Sequence, residues 1–452
     1  MGLFKKIKHL VGNEAVEAKV THIDENTPEV LDSPPYSFKD ALHAVRQGNS
    51  AKIQDYLKFN RRYALCKHWD ECTLLHEAAA FARAEIVEAL LKHQADVNAL
   101  YKDQTPLHFA IEGSAQQTAL KDDPAYFEYL KQRALTVQHL LHYRADWHLP
   151  NKLGELPIHL TAKLGYSDLL ELLVEAGSDL NCPIGSGQTN SPNEGRTPLL
   201  LAAKYNKDKV TLEILLKKKA NPNLRDKDPG YAPLHYVAAH YSVTQPLDEN
   251  YLRGLTELLL DYQAEINLNT VDGQTALHLA VQRRHVGVVS ALLDRGANPY
   301  AKDRHHLMPM GLAAREGNVE MLKYFLERKI DPYQSLAIFH AATCPDDDRA
   351  LKWFLDSGVD VNLVLSNGCT LLYYAISSYS LVNVKLLIER GADVHLAPSG
   401  MTLLKLAFAR WGDVVNLSDE RVSEEREQKS HKARDIIELL GGFKQEKQKF
   451  LF

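Results

Sequence analysis

The chain is short of the features that organise most catalytic, secreted and membrane-bound proteins. Its 452 residues include five cysteines, Cys66, Cys72, Cys182, Cys344 and Cys369. They are odd in number, scattered, and nowhere spaced CxxC, which excludes a disulfide framework or a paired-thiolate zinc site and points to a reducing compartment. No run reaches the roughly 18 apolar residues of a membrane span. Neither sign of charge dominates. The 53 Lys and Arg against 58 Asp and Glu leave a net charge of −5, which offers phosphate backbones no broad attraction and argues against a nucleic-acid partner. The dinucleotide GxGxxG, the P-loop, the GxSxG elbow, HExxH and the kinase signature are all missing. The nearest things to a ligand cluster are His305-His306 and the pair His340 and Cys344. Adjacent histidines point apart on a helix or turn, so no metal or other cofactor is expected.

What is abundant is repetition. Thr105-Pro106-Leu107-His108-Phe109-Ala110 returns with drift as Thr73-Leu74-Leu75-His76, Leu156-Pro157-Ile158-His159, Thr197-Pro198-Leu199, Ala232-Pro233-Leu234-His235 and Thr275-Ala276-Leu277-His278. Downstream of nearly every copy, at helical spacing, stand a Leu pair and an Ala-Asp or Gly-Ala-Asn turn, as in Leu292-Leu293 before Gly296-Ala297-Asn298 and Leu386-Leu387 before Gly391-Ala392-Asp393. Thr at a helix start caps backbone amides, Pro at the first helical position loses no needed donor, and Gly after the last turn takes the left-handed conformation. Small Ala residues let two helices approach closely.

The motif and its period of about 33 residues resemble the ankyrin-repeat family over almost the whole chain. The resemblance implies an all-α solenoid of about ten repeats with short β-hairpin turns, helical insertions and degenerate terminal caps. It also implies that the motif Thr and His bond across the turn, so that His43, His76, His108, His159, His235 and His278 are architectural rather than catalytic. Repeats are expected to begin near Thr73, Thr105, Glu155, Thr197, Ala232, Thr275, Met308, Leu336, Thr370 and Thr402, after a divergent cap from Phe38. The expected organisation is a leader over 1–36, an array over 37–440 and a tail over 441–452.

Three segments exceed the period: 112–136, 183–194 and 242–253. The first and last fall between the two helices of a repeat and are expected to add helix. The second is rich in Gly, Ser, Asn and Pro and reads as a mobile loop between repeats. Residues 1–11 place Leu3, Phe4, Ile7, Leu10 and Val11 on one helical face ringed by lysines, a pattern suited to weak membrane contact or to packing on the first repeat. They lack the apolar core and cleavage site of a secretory signal, so a cytoplasmic location is expected.

Function then falls to binding. In the ankyrin family, variable side chains on the inner helices and hairpin tips hold protein partners. Carried onto this sequence, that surface comprises Phe81, Tyr101, Trp147, Tyr205, Tyr241, Arg283, Arg315 and Trp411, with Lys204, His240, Tyr300 and Arg410 beside them. Aromatic and Arg side chains suit the task because they bury much area with few rotamers. Asn98 and Asn267 resemble asparagines hydroxylated in ankyrin repeats, but the position also suits an Asn that stabilises the turn. The tail joins a Glu-rich block, Ser423-Glu424-Glu425-Arg426-Glu427, to an apolar end, and resembles the translocation signal of type IV-secreted bacterial ankyrin effectors. That likeness implies host-protein partners in a host cytoplasm. Two other readings remain: an enzyme or toxin with a site built from the insertions, marked by convergent polar residues of shifted pKa, and a eukaryotic cytosolic scaffold.

Overall fold

The computed structural model describes residues 37–65, 72–114, 124–185, 192–205, 209–240, 248–396, 402–415 and 424–441. The expected leader over 1–36, the tail beyond 441 and Tyr241 lie outside the described residues. Within them 22 α-helices alternate in two rows. Helices of the first row are α1 (Phe38–Gln47), α3 (Leu74–Ala80), α5 (Pro106–Glu112), α7 (Pro157–Leu164), α9 (Pro198–Tyr205), α11 (Pro233–Ala238), α13 (Ala276–Arg283), α15 (Pro309–Arg315), α17 (Ala337–Ala342), α19 (Leu371–Ser377) and α21 (Leu403–Val415). Their partners in the second row are α2 (Ser50–Phe59), α4 (Ala84–Lys92), α6 (Pro124–His142), α8 (Ser167–Glu175), α10 (Lys209–Lys217), α12 (Glu249–Asp261), α14 (Val286–Asp294), α16 (Val319–Glu327), α18 (Arg349–Asp356), α20 (Leu381–Glu389) and α22 (Glu424–Leu439). The pairs match ten repeats and a first cap. The turns between repeats hold only isolated bridges among the described residues, Tyr101 with Gln104 and Val364 with Thr370, rather than extended strands.

Sequence dictates the two rows. Between the terminal pairs, first-row helices run from six residues in α11 to eight in α7, while second-row helices reach 19 in α6. Buried alanines such as Ala78, Ala79, Ala202, Ala203, Ala313 and Ala314 let the short helices approach closely. The second row meets the first through larger side chains, among them Leu90, Leu140, Leu173, Leu215, Leu259 and Leu292, each fully buried. A row of short, tightly spaced helices backed by longer, wider-set ones must curve toward the short row, which becomes the floor of a groove. Truncating any one of these leucines to Ala is worth about 2–5 kcal/mol.

The motif histidines tie each repeat to the next. Nδ1 of His108 accepts the Thr105 backbone N–H at 3.2 Å and lies 2.9 Å from its hydroxyl. An acceptor at Nδ1 fixes the tautomer, so Nε2 donates to the Glu155 carbonyl of the next turn at 3.4 Å. His76, His159, His235 and His278 repeat this with the carbonyls of Gln104, Cys182, Leu268 and Leu307. Where Leu156 and Ala232 replace Thr, the backbone bond to the ring persists at 3.0 Å in both. Burial pushes His76, His108, His159 and His235 down to about 4, and lowers His278, so the rings are neutral.

His43 departs from the expected role. The N-cap of α1 is Ser37, whose capping-box partner three positions into the helix is Asp40. His43 stands one turn further on, exposed, 2.8 Å from Gln47 Nε2. A second departure is in α15, where the motif position holds Gly311. A Cβ there would lie 2.7 Å from Cδ2 of His340, a ring contributed by α17 of the following repeat. The half-buried ring is thus supplied from the neighbour, and desolvation lowers it to about 4, with the Arg315 cation adding to the shift.

The insertions extend helices where described. In α6 the added residues form the first half of one 19-residue helix, and in α12 they lengthen the start of a 13-residue helix. Glu249 at the head of α12 is clamped onto the start of α14, accepting the Gly287 N–H at 2.8 Å and meeting His285 Nδ1 at 3.0 Å. The insertion over 183–194 was expected to be a mobile loop; residues 186–191 lie outside the described residues, but its returning end is fastened. Asn193 is 2% exposed and bonded to side chains of two adjacent repeats, Glu155 of one and Arg196 and Tyr205 of the next.

Candidate functional site

The groove floor is built from the C-terminal ends of the first-row helices. Side chains there follow the paired small residues of each helix, so they project past the close-packed Ala layer. From α3 to α15 they are Phe81, Glu112, Lys163, Lys204 with Tyr205, His240, Arg283 with Arg284, and Arg315 with Glu316.

A polar spine runs through the middle of this floor. Glu155 Oε1 accepts from Lys163 Nζ at 2.9 Å and from Asn193 Nδ2 at 3.4 Å. Asn193 also meets the Tyr205 hydroxyl at 3.3 Å and accepts from Lys204 Nζ at 3.2 Å. Arg196 donates to Asn193 Oδ1 at 3.1 Å, to the Pro192 carbonyl, to the Tyr236 hydroxyl at 2.7 Å and to Asp226 Oδ2 at 3.2 Å. Tyr236 in turn donates to Asp226. Glu155 and Asp226 are buried. Burial raises the Tyr236 phenol, and its bond to Asp226 raises it further. Burial also depresses the Lys204 ammonium, helped by the nearby cations Arg196 and Lys163. An insertion residue therefore does converge with repeat residues of shifted pKa. The convergent groups are cations, amides and phenols already bonded to one another.

Further along, a second group of cations gathers. Arg283, Arg284 and Arg315 are all exposed and all sit close enough to Glu316 to oppose the rise that burial imposes on its carboxyl. Arg283 lies near Tyr231, whose ring is 5.3 Å from that of Tyr236, so the two groups are joined through Arg196, Tyr236 and Tyr231.

The predicted binding residues divide between groove and core. Phe81 caps α3 and lines a 270 Å³ hollow whose other wall is Tyr126, Tyr129 and Gln132 of the inserted part of α6. Tyr205, Arg283 and Arg315 lie on the floor. Tyr101 is half-buried at a turn, its ring 5.9 Å from His76 and 5.8 Å from Phe109, so it seals one repeat against the next. Trp147 and Trp411 are half-buried and pack on the core. Asn98 and Asn267 bridge adjacent turns, their side-chain oxygens accepting the Asp146 and Asn298 backbone N–H groups at 2.8 Å each. The sequence reading missed Glu155, Arg196, Asp226 and Asn193. A signal existed: the residue before the helix cap is Gln104 and Gln274 in two repeats with the full motif, and Glu155 and Arg196 put charges in that place.

A family model described as ankyrin repeats (3 copies) matches residues 41–121, 129–226, 240–335 and 338–417. Among known proteins, human transient receptor potential cation channel subfamily A member 1 is 26% identical over 403 residues, 85% of this chain and 32% of that one. Putative ankyrin repeat protein FPV223 of fowlpox virus is 31% identical over 137 residues, 30% of this chain and 97% of the viral one. The chain thus spans 32% of the length of the human relative. Among solved structures, the human ASB11 ankyrin repeat domain is 23% identical with a TM-score of 0.43, covering 57% of this chain and 98% of that domain.

Proposed function

The chain belongs to the ankyrin-repeat family, and we propose on that basis that it is a non-enzymatic module that holds one or more protein partners in the groove of its short helices. The observation that carries this reading is the division of labour on each first-row helix. The residues with chemical potential, the motif histidines, are neutral, buried and spent on inter-repeat bonds. The variable positions one turn later put aromatic and cationic side chains onto a rigid floor, which is what a binding surface needs.

The test is affinity capture with the full chain beside a variant carrying Phe81→Ala, Tyr205→Ala and Arg315→Ala, with matching far-UV circular dichroism. A partner held by the parent and lost by the variant is the expected result. Identical captured proteins from both would sink the groove as the binding surface.

An active site built on an insertion is a second reading, favoured by the meeting of Asn193 with Lys204 and Tyr205. It requires Lys204 to react with an amine-selective reagent at neutral pH well ahead of the other lysines; uniform labelling removes it. The finer setting, a secreted effector acting on host proteins, is supported by the Glu-rich block and apolar end of the tail. A translocation reporter fused to the full chain and to a chain lacking residues 423–452 decides it.

A further inference from the structure

The hollow beside Phe81 is walled by aromatic rings and by a guanidinium short of acceptors. Arg83, at the N-cap of α4, lines it together with Phe81, Tyr126 and Tyr129. Among the described residues its one acceptor is the Arg46 carbonyl, 2.7 Å from Nη2, and its Nε is buried without any. Burial lowers the group from its ordinary value, and no carboxylate opposes that fall. Glu128 lines the same hollow, but its carboxylate is turned to Gln132 at 2.9 Å and Lys131 at 3.8 Å. The Arg83 head rests on Gly48, where even a Cβ would lie 3.0 Å from Cζ, so it is fixed in place before any ligand arrives.

A second guanidinium stands beside the Tyr129 wall. Arg133 is 2% exposed, and its Cζ lies 5.6 Å from the Tyr129 ring centre and 3.8 Å from that of Tyr166. Its Nε and Nη2 have no acceptor, and it forms no ion pair among the described residues. The buried Arg196, by contrast, has Asp226. A guanidinium buried without counter-charge is costly, so this corner of the groove is one where an incoming carboxylate is favoured.

We propose that the hollow is an anchor site for a protein partner, taking one large apolar side chain against Phe81, Tyr126 and Tyr129 and a neighbouring carboxylate on Arg83. The inference rests on the groove being the protein-binding surface and adds the chemistry of one point of contact. At 270 Å³ the hollow falls just under the roughly 300–1,000 Å³ of whole small-molecule sites and suits a single side chain. The planar fork of arginine matches a carboxylate, and apolar surroundings strengthen the bond between them. The Glu128 carboxylate on the same wall would repel a dianion, so the occupant carries a single charge.

The probe is 3-phenylpropionate, which joins ring and carboxylate in one fragment, titrated with the full chain by ligand-observed NMR. Its neutral isostere 3-phenylpropanamide and the dianion phenyl phosphate are run alongside. Binding in the millimolar range is expected for so small a ligand, with the carboxylate about tenfold tighter than the amide, the worth of one charge-assisted hydrogen bond. Arg83→Gln should erase that difference and leave the amide unchanged, while Phe81→Ala should weaken both, with circular dichroism confirming the fold. Equal binding of acid and amide by the parent chain, a preference that survives Arg83→Gln, or tighter binding of phenyl phosphate overturns the proposal. In affinity capture, retention of the partner should fall on Arg83→Gln. A partner lost on Phe81→Ala, Tyr205→Ala and Arg315→Ala but indifferent to Arg83→Gln would leave the groove as binding surface and remove this anchor. Arg83-dependent fragment binding with no groove-dependent capture would sink the groove reading and the protein partner with it.

Discussion

Acidification should dismantle the array through its buried histidines before most carboxylates protonate. Five rings, His76, His108, His159, His235 and His340, are held at about 4 by burial, against an ordinary 6.5. Because the folded values are depressed, the unfolded chain binds more protons between these limits. Stability is then complete above about pH 6.5 and is lost as pH falls toward about pH 4. At about pH 5 the linkage relation gives roughly 2 kcal/mol lost per ring, or about 10 kcal/mol for the five, comparable to the whole stability of an ordinary domain. Geometry supports the sign independently in the four motif rings. Their Nδ1 faces a backbone N–H, so a proton placed there would set donor against donor. Urea titrations followed by far-UV circular dichroism at about pH 7.5, 6 and 5 should show a steeply falling midpoint. His235→Gln should be less stable at neutral pH yet lose about 1.4 kcal/mol per pH unit less on acidification, one proton's worth. A midpoint that holds steady down to about pH 5, and drops only where carboxylates titrate, would refute the assignment of neutral structural histidines.

Two further perturbations probe how the repeats are joined. Gly311→Ala brings a Cβ to 2.7 Å from the His340 ring, so the ~1 kcal/mol of helix propensity gained should be outweighed by about 1–3 kcal/mol of overpacking. Adding His340→Ala should abolish that strain, and a Gly311→Ala chain that melts no lower than its parent would show that the ring moves freely. The Arg196–Asp226 pair has side chains only 10% and 1% exposed, so Asp226→Asn should cost about 3–5 kcal/mol by leaving a buried guanidinium without its counter-charge. Denaturant unfolding measures it, and a loss under about 1 kcal/mol would mean that Tyr236 and Asn193 suffice.

The helices, their pairing and the architectural place of five histidines were legible in the sequence because each depends on residues within a few positions of one another. Thr105, Pro106 and His108 define a helix start without reference to anything distant. The register of the first cap was not legible. His43 sits in a plausible run of Ala and Leu, yet the capping residue is Ser37, and only the Ser37–Asp40 box fixes where the helix begins. The Gly311–His340 exchange was equally hidden, since a missing ring in one repeat is compensated 29 positions later by a residue that occupies no motif place. Of the binding residues, position alone could not separate Arg315, which faces the groove, from Trp147, which packs on the core. Both lie at variable places, and burial is decided by the neighbouring repeat's side chains.

The same period that builds the fold also sorts its charge. Arg295–Asp261, Arg328–Asp294 and Arg390–Asp356 are all separated by 34 positions, so a carboxylate near the end of one long helix finds a guanidinium just beyond the end of the next. Such exposed pairs add little stability, typically ~0–1 kcal/mol each. Their consequence is electrostatic: each pair leaves the convex face locally neutral. In the groove charge is sorted differently: the buried carboxylates Glu155 and Asp226 are enclosed by Lys163, Asn193, Arg196 and Tyr236. Charge on the convex face is thus paired in the open, while on the groove floor it is committed to a buried network that ties an insertion residue to two repeats.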